Sequence, residues 1–159
     1  MTAMLAQEYT IGDDRIDPVG HFCSEKLDGY RAIFKGGEFH SRNDKMYNSP
    51  LWFRKCLPDR VIDGELWISR EEFEKMGCVR KKEPVDSEWM EVTFQVYDII
   101  DCEGGFGSRL KELLKIVKEA TKKWNIYRKK LGKDDERFLK MKCPLRFVTQ
   151  TPVKSVSHL

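Results

Sequence analysis

Residues 24–31 read SEKLDGYR, a run that places a lysine two residues before Asp-Gly and five before an arginine. A lysine attacks only as the free amine, and a solvated lysine with a pKa of about 10.4 is almost wholly protonated at neutral pH. Desolvation, Arg31 or a bound metal ion would lower the pKa of Lys26, whereas Asp28 alone would raise it. The run fits a nucleophilic lysine, but these residue types are also common in surface turns, and taken alone it favours a turn slightly.

Two short β-favouring runs come directly after this lysine. Residues 30–34 and 38–42 are joined by the glycine-containing link 35–37, which has the length of a hairpin loop. The pattern predicts an antiparallel hairpin. Residues 91–100 are almost continuously apolar or β-favouring and should form a central strand, in which Tyr97 is either a core residue or the wall of a pocket.

A further strand is predicted over residues 61–68, where apolar side chains alternate with two acids. Ile62 and Leu66 share one face, and Asp63 and Glu65 share the other. Two carboxylates on a largely apolar strand need a cation, a metal ion or ribose hydroxyls, because an unpaired buried carboxylate is costly. The alternative is an edge strand that shows both acids to water.

Helices are predicted between and after these strands. Short ones are expected over residues 51–56, 71–79 and 136–140, and a long one should begin with Ser108 as N-cap and run towards Leu131. A last strand is expected over 145–149. We predict an α+β fold of mostly antiparallel sheets with flanking helices. The predicted apolar face of the long helix consists of Leu110, Leu113, Leu114, Val117 and Ala120.

The net charge of +3 conceals an uneven distribution along the chain. Residues 108–142 hold 13 Lys and Arg against 5 Asp and Glu, and the other residues hold 16 against 21. This asymmetry indicates either a polyanionic partner or the solvated face of a helix. If lysines of this helix contact phosphates, binding should weaken steeply as salt rises; the candidates are Lys115, Lys118, Lys122 and Lys123.

Composition excludes several other kinds of site. The five cysteines are scattered without a Cys-x-x-Cys pair, which fits neither a disulfide framework nor a zinc site and indicates free thiols in a reducing compartment. A phosphate-binding P-loop motif is missing. No run resembles a secretion signal or a membrane span, so we expect an intracellular protein without a membrane partner. Without repeats or linkers, residues 1–159 are expected to form one domain.

Four short motifs together resemble a known family. They are KLDGYR at 26–31, SRN at 41–43, DGE at 63–65 and VYD at 96–98. Their order and approximate spacing are similar to motifs I, Ia, III and IIIa of ATP-dependent DNA ligases, which are covalent nucleotidyltransferases, and most of all to small viral-type ligases. The resemblance covers roughly residues 22–100. It implies the ligase-type nucleotidyltransferase fold, with the nucleotide between two sheets, and a nuclear, cytoplasmic or viral setting.

The resemblance also implies a role for each motif residue. Lys26 would attack the α-phosphate of ATP, with magnesium present, and hold AMP as a phosphoramidate. Arg31 and Arg42 would contact ribose or phosphate, Glu65 the ribose or a magnesium ion, and Tyr97 would stack on adenine. AMP would then pass to the 5′-phosphate of nicked duplex DNA, and the 3′-hydroxyl would displace it, the sealing step of replication, repair and recombination. The enzyme would act as a monomer.

The same resemblance implies less specific roles for two further residues. Ser24 lies where the family contacts the adenine edge, although many members have Glu or Thr there. Asp28 is expected to support the lysine as a structural partner or as an acid near the metal.

Other family motifs have no counterpart in the chain. No stretch matches motif IV, and no Lys-x-Lys of motif V is followed by an oligonucleotide-binding (OB-fold) domain, because the Lys-x-Lys at 140–142 comes before the last strand. We therefore expect the front part of an adenylation domain, incomplete at its C-terminal side, with slow or absent turnover. The alternatives are an RNA ligase, an mRNA-capping guanylyltransferase that prefers GTP, or a catalytically silent module that binds nucleotide or DNA.

Overall fold

The computed structural model of the chain describes residues 3–4, 9–12 and 15–158, and its helices and strands lie within those ranges. The strands are β1 (Phe22–Cys23), β2 (Tyr30–Lys35), β3 (Glu38–His40), β4 (Met46–Tyr47), β5 (Ile62–Trp67), β6 (Thr93–Ile99), β7 (Leu145–Phe147) and β8 (Thr151–Pro152). The α-helices are α1 (Leu51–Arg54), α2 (Asp86–Trp89), α3 (Phe106–Leu131) and α4 (Arg137–Lys140). Two 3-10 helices cover Phe73–Arg80 and Val156–His158.

Six of the strands form one sheet in the order β4-β3-β2-β5-β6-β7. All neighbours in it run antiparallel except β6 and β7, which are parallel. Strands β1 and β8 form a separate two-stranded antiparallel sheet. The predicted α+β class, hairpin and central strand are confirmed, since β2 pairs with β3 and β6 has a neighbour on each side.

One face of the large sheet is packed and the other is open. Phe94 and Val96 of β6 are fully buried, as are Leu113 and Trp124 of α3, and all four belong to the same hydrophobic core. Intervening side chains of β6, such as Gln95, are only half-buried. We call the face turned away from α3 the open face. Because side chains alternate between the two faces of a strand, one face of the sheet forms the core and the open face can carry a site.

Helix α3 differs from the prediction at its start and along its face. It begins at Phe106, two residues before the predicted cap, because Gly105 is the N-cap and its carbonyl oxygen accepts from Ser108 and Arg109 N–H; the Phe106 ring packs edge-on against Phe22 with ring centroids 5.3 Å apart. The predicted N-cap Ser108 therefore lies inside the first turn. Leu114, predicted to be apolar-facing, is 39% exposed, whereas Ile116 is buried in its place. The predicted end near residue 131 is correct.

Smaller differences occur where local patterns are weak. The short helix predicted over 71–79 is a 3-10 helix over 73–80, and the last predicted strand is shortened to 145–147. The two-residue strands were not predicted, because two residues carry no readable period.

The structure also shows the state of the cysteines and whether any helix could span a membrane. All five cysteines are free thiols, as predicted. None of the described helices is both long and apolar enough to span a bilayer. The assignment of residues 1–159 to a single domain stays a prediction.

Candidate active site

The predicted site residues on strands come together on the open face. Arg31 of β2 lies opposite Glu65 of β5, and Glu65 lies opposite Gln95 of β6, so the three form one row across the sheet. Because cross-strand neighbours on one face stand about 5 Å apart, their side chains share a common surface. Gln95 was not among the predicted site residues, and only the sheet register identifies it.

Tyr97 stands two residues after Gln95 on β6 and lies on the same surface, at a β-bulge. The pairing of β5 with β6 shifts between Asp63, which faces Asp98, and Gly64, which faces Val96, and Tyr97 is the extra residue. Its hydroxyl donates a hydrogen bond to the Gly64 carbonyl oxygen over 3.3 Å. Burial raises the pKa of Tyr97, and the charge of Asp63 raises it further, so the phenol stays neutral. The ring is half-buried at the floor of the open face.

Arg31 is held in place by Asp63. Its Nη2 lies 2.6 Å from Asp63 Oδ2 and its Nε lies 3.1 Å from Oδ1, a two-point pairing with a carboxylate that is 0% exposed. Burial raises the pKa of Asp63, and the guanidinium opposes that rise, while the Asp63 hydrogen bond raises the pKa of Arg31. Arg31 Nη2 also donates to the Met4 carbonyl oxygen over 2.5 Å. The cation required by Asp63 is thus Arg31.

Glu65 is the most perturbed acid of the surface. Burial raises its pKa to about 7, while a backbone hydrogen bond from Gly29 and the positive charges of Arg31 and Lys26 oppose the rise. Lys26 is therefore close enough to Glu65 to act on its charge. The motif I lysine and the motif III acid, 39 residues apart in sequence, thus lie within electrostatic reach of each other in the fold.

Two glycines permit this close approach. A Cβ on Gly29 would lie 2.3 Å from the Leu66 carbonyl oxygen and 2.9 Å from Glu65 Cγ. A Cβ on Gly64 would lie 2.6 Å from the Gln95 carbonyl oxygen. Contacts below about 3 Å are not tolerated without movement, so both positions need glycine for space rather than for an unusual φ.

The segment before β2 leaves its polar side chains in solvent. Ser24, Lys26 and Asp28 are exposed. Ser24 borders a cavity of about 450 Å³ on the open side, whose lining also includes Gln95 and Thr149. Lys26 Nζ makes no hydrogen bond or ion pair with the part of the chain described. A nucleotide phosphate could therefore reach the amine without displacing a partner among the described residues.

Arg42 is not brought into this row. It is exposed in the turn after β3, and no hydrogen bond or ion pair of its side chain occurs among the described residues. The same turn is closed by Lys35, which contacts Asp44 over 2.7 Å. Arg42 is therefore free to turn towards a ligand, and its role stays a prediction.

The structure adds an ion pair that the sequence did not predict. Asp98, 2% exposed, accepts hydrogen bonds from Arg109 of α3, with Nε at 2.8 Å and Nη2 at 3.2 Å. The one available signal was an acid at the end of a buried strand, which needs a cation. Within the described residues, no group of three or more His, Cys, Asp or Glu side chains could hold a metal ion.

Comparisons with known proteins agree on one class. No family model matches the chain. A DNA ligase of Haemophilus influenzae is 35% identical over 94 residues, which are 59% of this chain and 35% of that protein. A solved structure from a structure-function analysis of Lig E DNA ligases, concerned with DNA binding by a minimal scaffold, is 33% identical with a TM-score of 0.73. The match covers 96% of this chain and 52% of the solved ligase chain.

A second solved structure supports the fold alone. The match to the Chlorella virus DNA ligase-adenylate covers 97% of this chain and 51% of the viral chain. Its TM-score is 0.63 at 14% sequence identity. The fold is thus that of ligase-type nucleotidyltransferase domains. Within that class, the resemblance to the adenylation domain of ATP-dependent DNA ligases is confirmed. The chain spans about a third of the curated relative and about half of the solved ligases.

Proposed function

We propose that the chain carries out the adenylation chemistry of an ATP-dependent DNA ligase, with Lys26 as the nucleophile. The observation that carries the proposal is that Arg31 and Glu65 share one open face and that the segment after Lys26 packs on Glu65 at Gly29, where the charges of both cations act on Glu65. An amine, a carboxylate and a guanidinium held together are suited to in-line attack on a phosphate.

The reaction follows from the chemistry of the amine. The unprotonated Nζ of Lys26 attacks the α-phosphorus of ATP, a P–N bond forms, and the bond to pyrophosphate breaks. The 5′-phosphate of nicked duplex DNA then displaces the lysine, and the adjacent 3′-hydroxyl finally displaces AMP. The charge of Arg31, which Asp63 orients, stabilises phosphate oxygens in these steps.

The remaining residues bind and orient the nucleotide. Glu65 accepts from ribose hydroxyls, the half-buried Tyr97 ring offers a stacking surface for adenine, and Ser24 borders the cavity from the other side. Asp28 supports the lysine segment, and Arg42 reaches the phosphates from its turn. Stacking and hydrogen bonding fix the base, so that the α-phosphate is presented to the amine.

Magnesium fits this site as an ion shared between protein and nucleotide. Mg²⁺ is usually held by one or two carboxylates together with substrate phosphates and water, and the half-buried Glu65 is the carboxylate that would hold it. When bound, the ion would neutralise charge on the phosphates.

The setting and partners form part of the same proposal. Nicked duplex DNA is the substrate, and the protein acts as a monomer. Five free thiols fit a reducing intracellular compartment.

Intact-mass measurement after prolonged incubation with ATP and Mg²⁺ tests the proposal. We expect one slowly formed adenylate on the native chain, none on Lys26→Ala, and an unchanged yield on the control Lys45→Ala, which removes another exposed lysine. An adduct on Lys26→Ala would overturn the assignment of the nucleophile. Preferential labelling by GTP would indicate capping chemistry instead.

Two other results would also contradict the proposed function. ATP binding without any covalent adduct would indicate a silent nucleotide-binding module. Transfer of AMP to nicked RNA in preference to nicked DNA would indicate an RNA ligase.

A further inference from the structure

Gln95 is a polar residue of the open face to which the proposed function gives no role. It lies opposite Glu65 of β5 and two residues before Tyr97 on β6, and it lines the cavity of about 450 Å³ that Ser24 also borders. Side chains two residues apart on a strand share a face and stand about 7 Å apart along it. The Gln95 amide is therefore next to the proposed stacking surface for adenine.

The orientation of the Gln95 amide is fixed by Thr93, which lies on the same face of β6. The Thr93 hydroxyl donates to the Trp67 carbonyl oxygen over 2.9 Å, and Gln95 Nε2 donates to the Thr93 hydroxyl oxygen over 3.0 Å. A hydroxyl has a single proton, and a carbonyl oxygen can only accept. Because that proton is given to Trp67, the Thr93 oxygen can only accept from Gln95. The amide therefore turns its nitrogen, and not its oxygen, towards Thr93.

This arrangement leaves one donor and one acceptor of the amide available to a ligand. A carboxamide has two N–H groups and an oxygen with two lone pairs. Thr93 uses one N–H of Gln95, and no described residue donates a hydrogen bond to Gln95 Oε1. The second N–H and the oxygen are side by side on a residue that lines the cavity.

An adjacent acceptor and donor match the edge of adenine and not that of guanine. Adenine presents the N6 amino donor beside the N7 acceptor, whereas guanine presents the acceptor O6 in place of the amino group. Gln95 Oε1 can accept from adenine N6 while the free N–H donates to N7, the usual two-point pairing of glutamine with adenine. With guanine, Oε1 would face O6, and two acceptors without a proton between them repel each other.

We propose that Gln95 selects adenine nucleotides over guanine nucleotides, and that Thr93 is the positioning residue on which this selection depends. The inference rests on the proposed function for the place of the base on Tyr97. It goes beyond that function by assigning the discrimination between ATP and GTP to two particular residues. Neither Thr93 nor Gln95 lies in any of the four ligase-like motifs.

Equilibrium binding of ATP and of GTP, measured by isothermal titration calorimetry, tests the role of Gln95. The variants are made in a Lys26→Ala background, in which no adduct disturbs the equilibrium. Gln95→Met keeps the length of the side chain and removes both polar atoms, so the preference for ATP should fall about tenfold. The matched control is Gln150→Met, the same change at a glutamine outside the lining of this cavity, and it should leave the preference unchanged.

Two variants of Thr93 separate the orientation of the amide from its presence. Thr93→Val keeps the shape of the side chain and removes the hydroxyl, so the Gln95 amide is intact but free to rotate. We expect GTP to gain affinity relative to ATP, because a rotated amide turns an N–H towards guanine O6. Thr93→Ser keeps the hydroxyl and should retain the native preference. Circular dichroism before each titration checks that the variants are folded.

An unchanged preference for ATP in Gln95→Met would overturn the proposal, and equal preferences in Thr93→Ser and Thr93→Val would overturn the positioning role. Absence of ATP binding by the native chain would overturn both this inference and the proposed function. A preference for ATP that depends on Gln95, in a native chain that forms no adduct, would support the selection of adenine and contradict only the adenylation chemistry. Failure of one proposal is therefore distinguishable from failure of the other.

Discussion

Asp63 and Asp98 face each other across strands β5 and β6, and each carboxylate is held by a different arginine. Arg31 reaches Asp63 from β2, whereas Arg109 reaches Asp98 from α3. The negative charge of Asp98 contributes to the raised pKa of Asp63. Two buried acids at one register position are tolerable only because a cation reaches each of them.

Removal of the Asp63 carboxylate should be strongly destabilising. Asp63→Ala leaves the Arg31 guanidinium without its counter-ion, and breaking a buried pair in this way costs about 3 kcal/mol. Urea denaturation followed by circular dichroism measures the loss. The control is Glu88→Ala, which breaks the exposed pair with Lys81 and should have little effect. Similar losses in the two variants would show that the Asp63–Arg31 pair is not structurally important.

Stability should depend on pH through Glu65. Its pKa in the folded chain, about 7, is above its ordinary value of 4.5, so the folded state binds more protons between these values. The free energy of unfolding contributed by this group therefore falls as pH rises from about 4.5 to about 7. Glu65→Gln cannot ionise and should lack this fall.

The difference can be measured by urea denaturation at several pH values. Between pH 4.5 and pH 7, the free energy of unfolding of Glu65→Gln should rise by about 1 kcal/mol relative to that of the native chain. This figure is reduced to allow for solvent access to the carboxyl group. Glu83→Gln changes an exposed acid and should give a curve parallel to the native one. A parallel curve for Glu65→Gln as well would mean that this acid titrates normally.

Gly64 should not accept even a methyl group. Gly64→Ala places a Cβ 2.6 Å from the Gln95 carbonyl oxygen and 2.7 Å from Phe94 Cε2, and the movement that relieves this overlap costs about 1–3 kcal/mol. Thermal denaturation compares it with Gly77→Ala, whose added Cβ would meet nothing within 4 Å. Equal melting temperatures for the two variants would contradict the close packing of β5 on β6.

The Tyr97 ring should matter more to nucleotide affinity than its hydroxyl. Tyr97→Ala removes the proposed stacking surface and should weaken ATP binding by about 1–3 kcal/mol, the usual range for base stacking on an aromatic side chain. Tyr97→Phe loses the hydrogen bonds of the hydroxyl, to the Gly64 carbonyl oxygen and to Asp63, and should bind nearly as well. Isothermal titration calorimetry separates the two. Equal losses would assign the effect to the hydroxyl.

Much of the sheet was predictable because alternation along a strand is a local property. The split of β5 into Ile62 and Leu66 on one face and Asp63 and Glu65 on the other follows from a period of two. The sequence also indicated that Asp63 needed a partner. It left the identity of that partner open, because Arg31 reaches it only through the β2–β5 register.

The features that escaped prediction depend on contacts between distant segments. The bulge at Tyr97 is visible only in the pairing of β5 with β6. The packing of Phe106 on Phe22, at the start of helix α3, joins residues that are far apart in sequence. The partnership of Asp98 with Arg109 requires the turn between strand and helix to bring them together. Local propensity carries no information about any of these.

The contact between Arg31 and the Met4 carbonyl oxygen has a practical use in the design of a sensor. That oxygen occupies a donor of the guanidinium proposed to receive a nucleotide phosphate. A fluorophore attached at residue 4 would stand beside this oxygen. An arriving nucleotide would displace the backbone and change the emission of the dye, which would report occupancy with every pocket side chain intact.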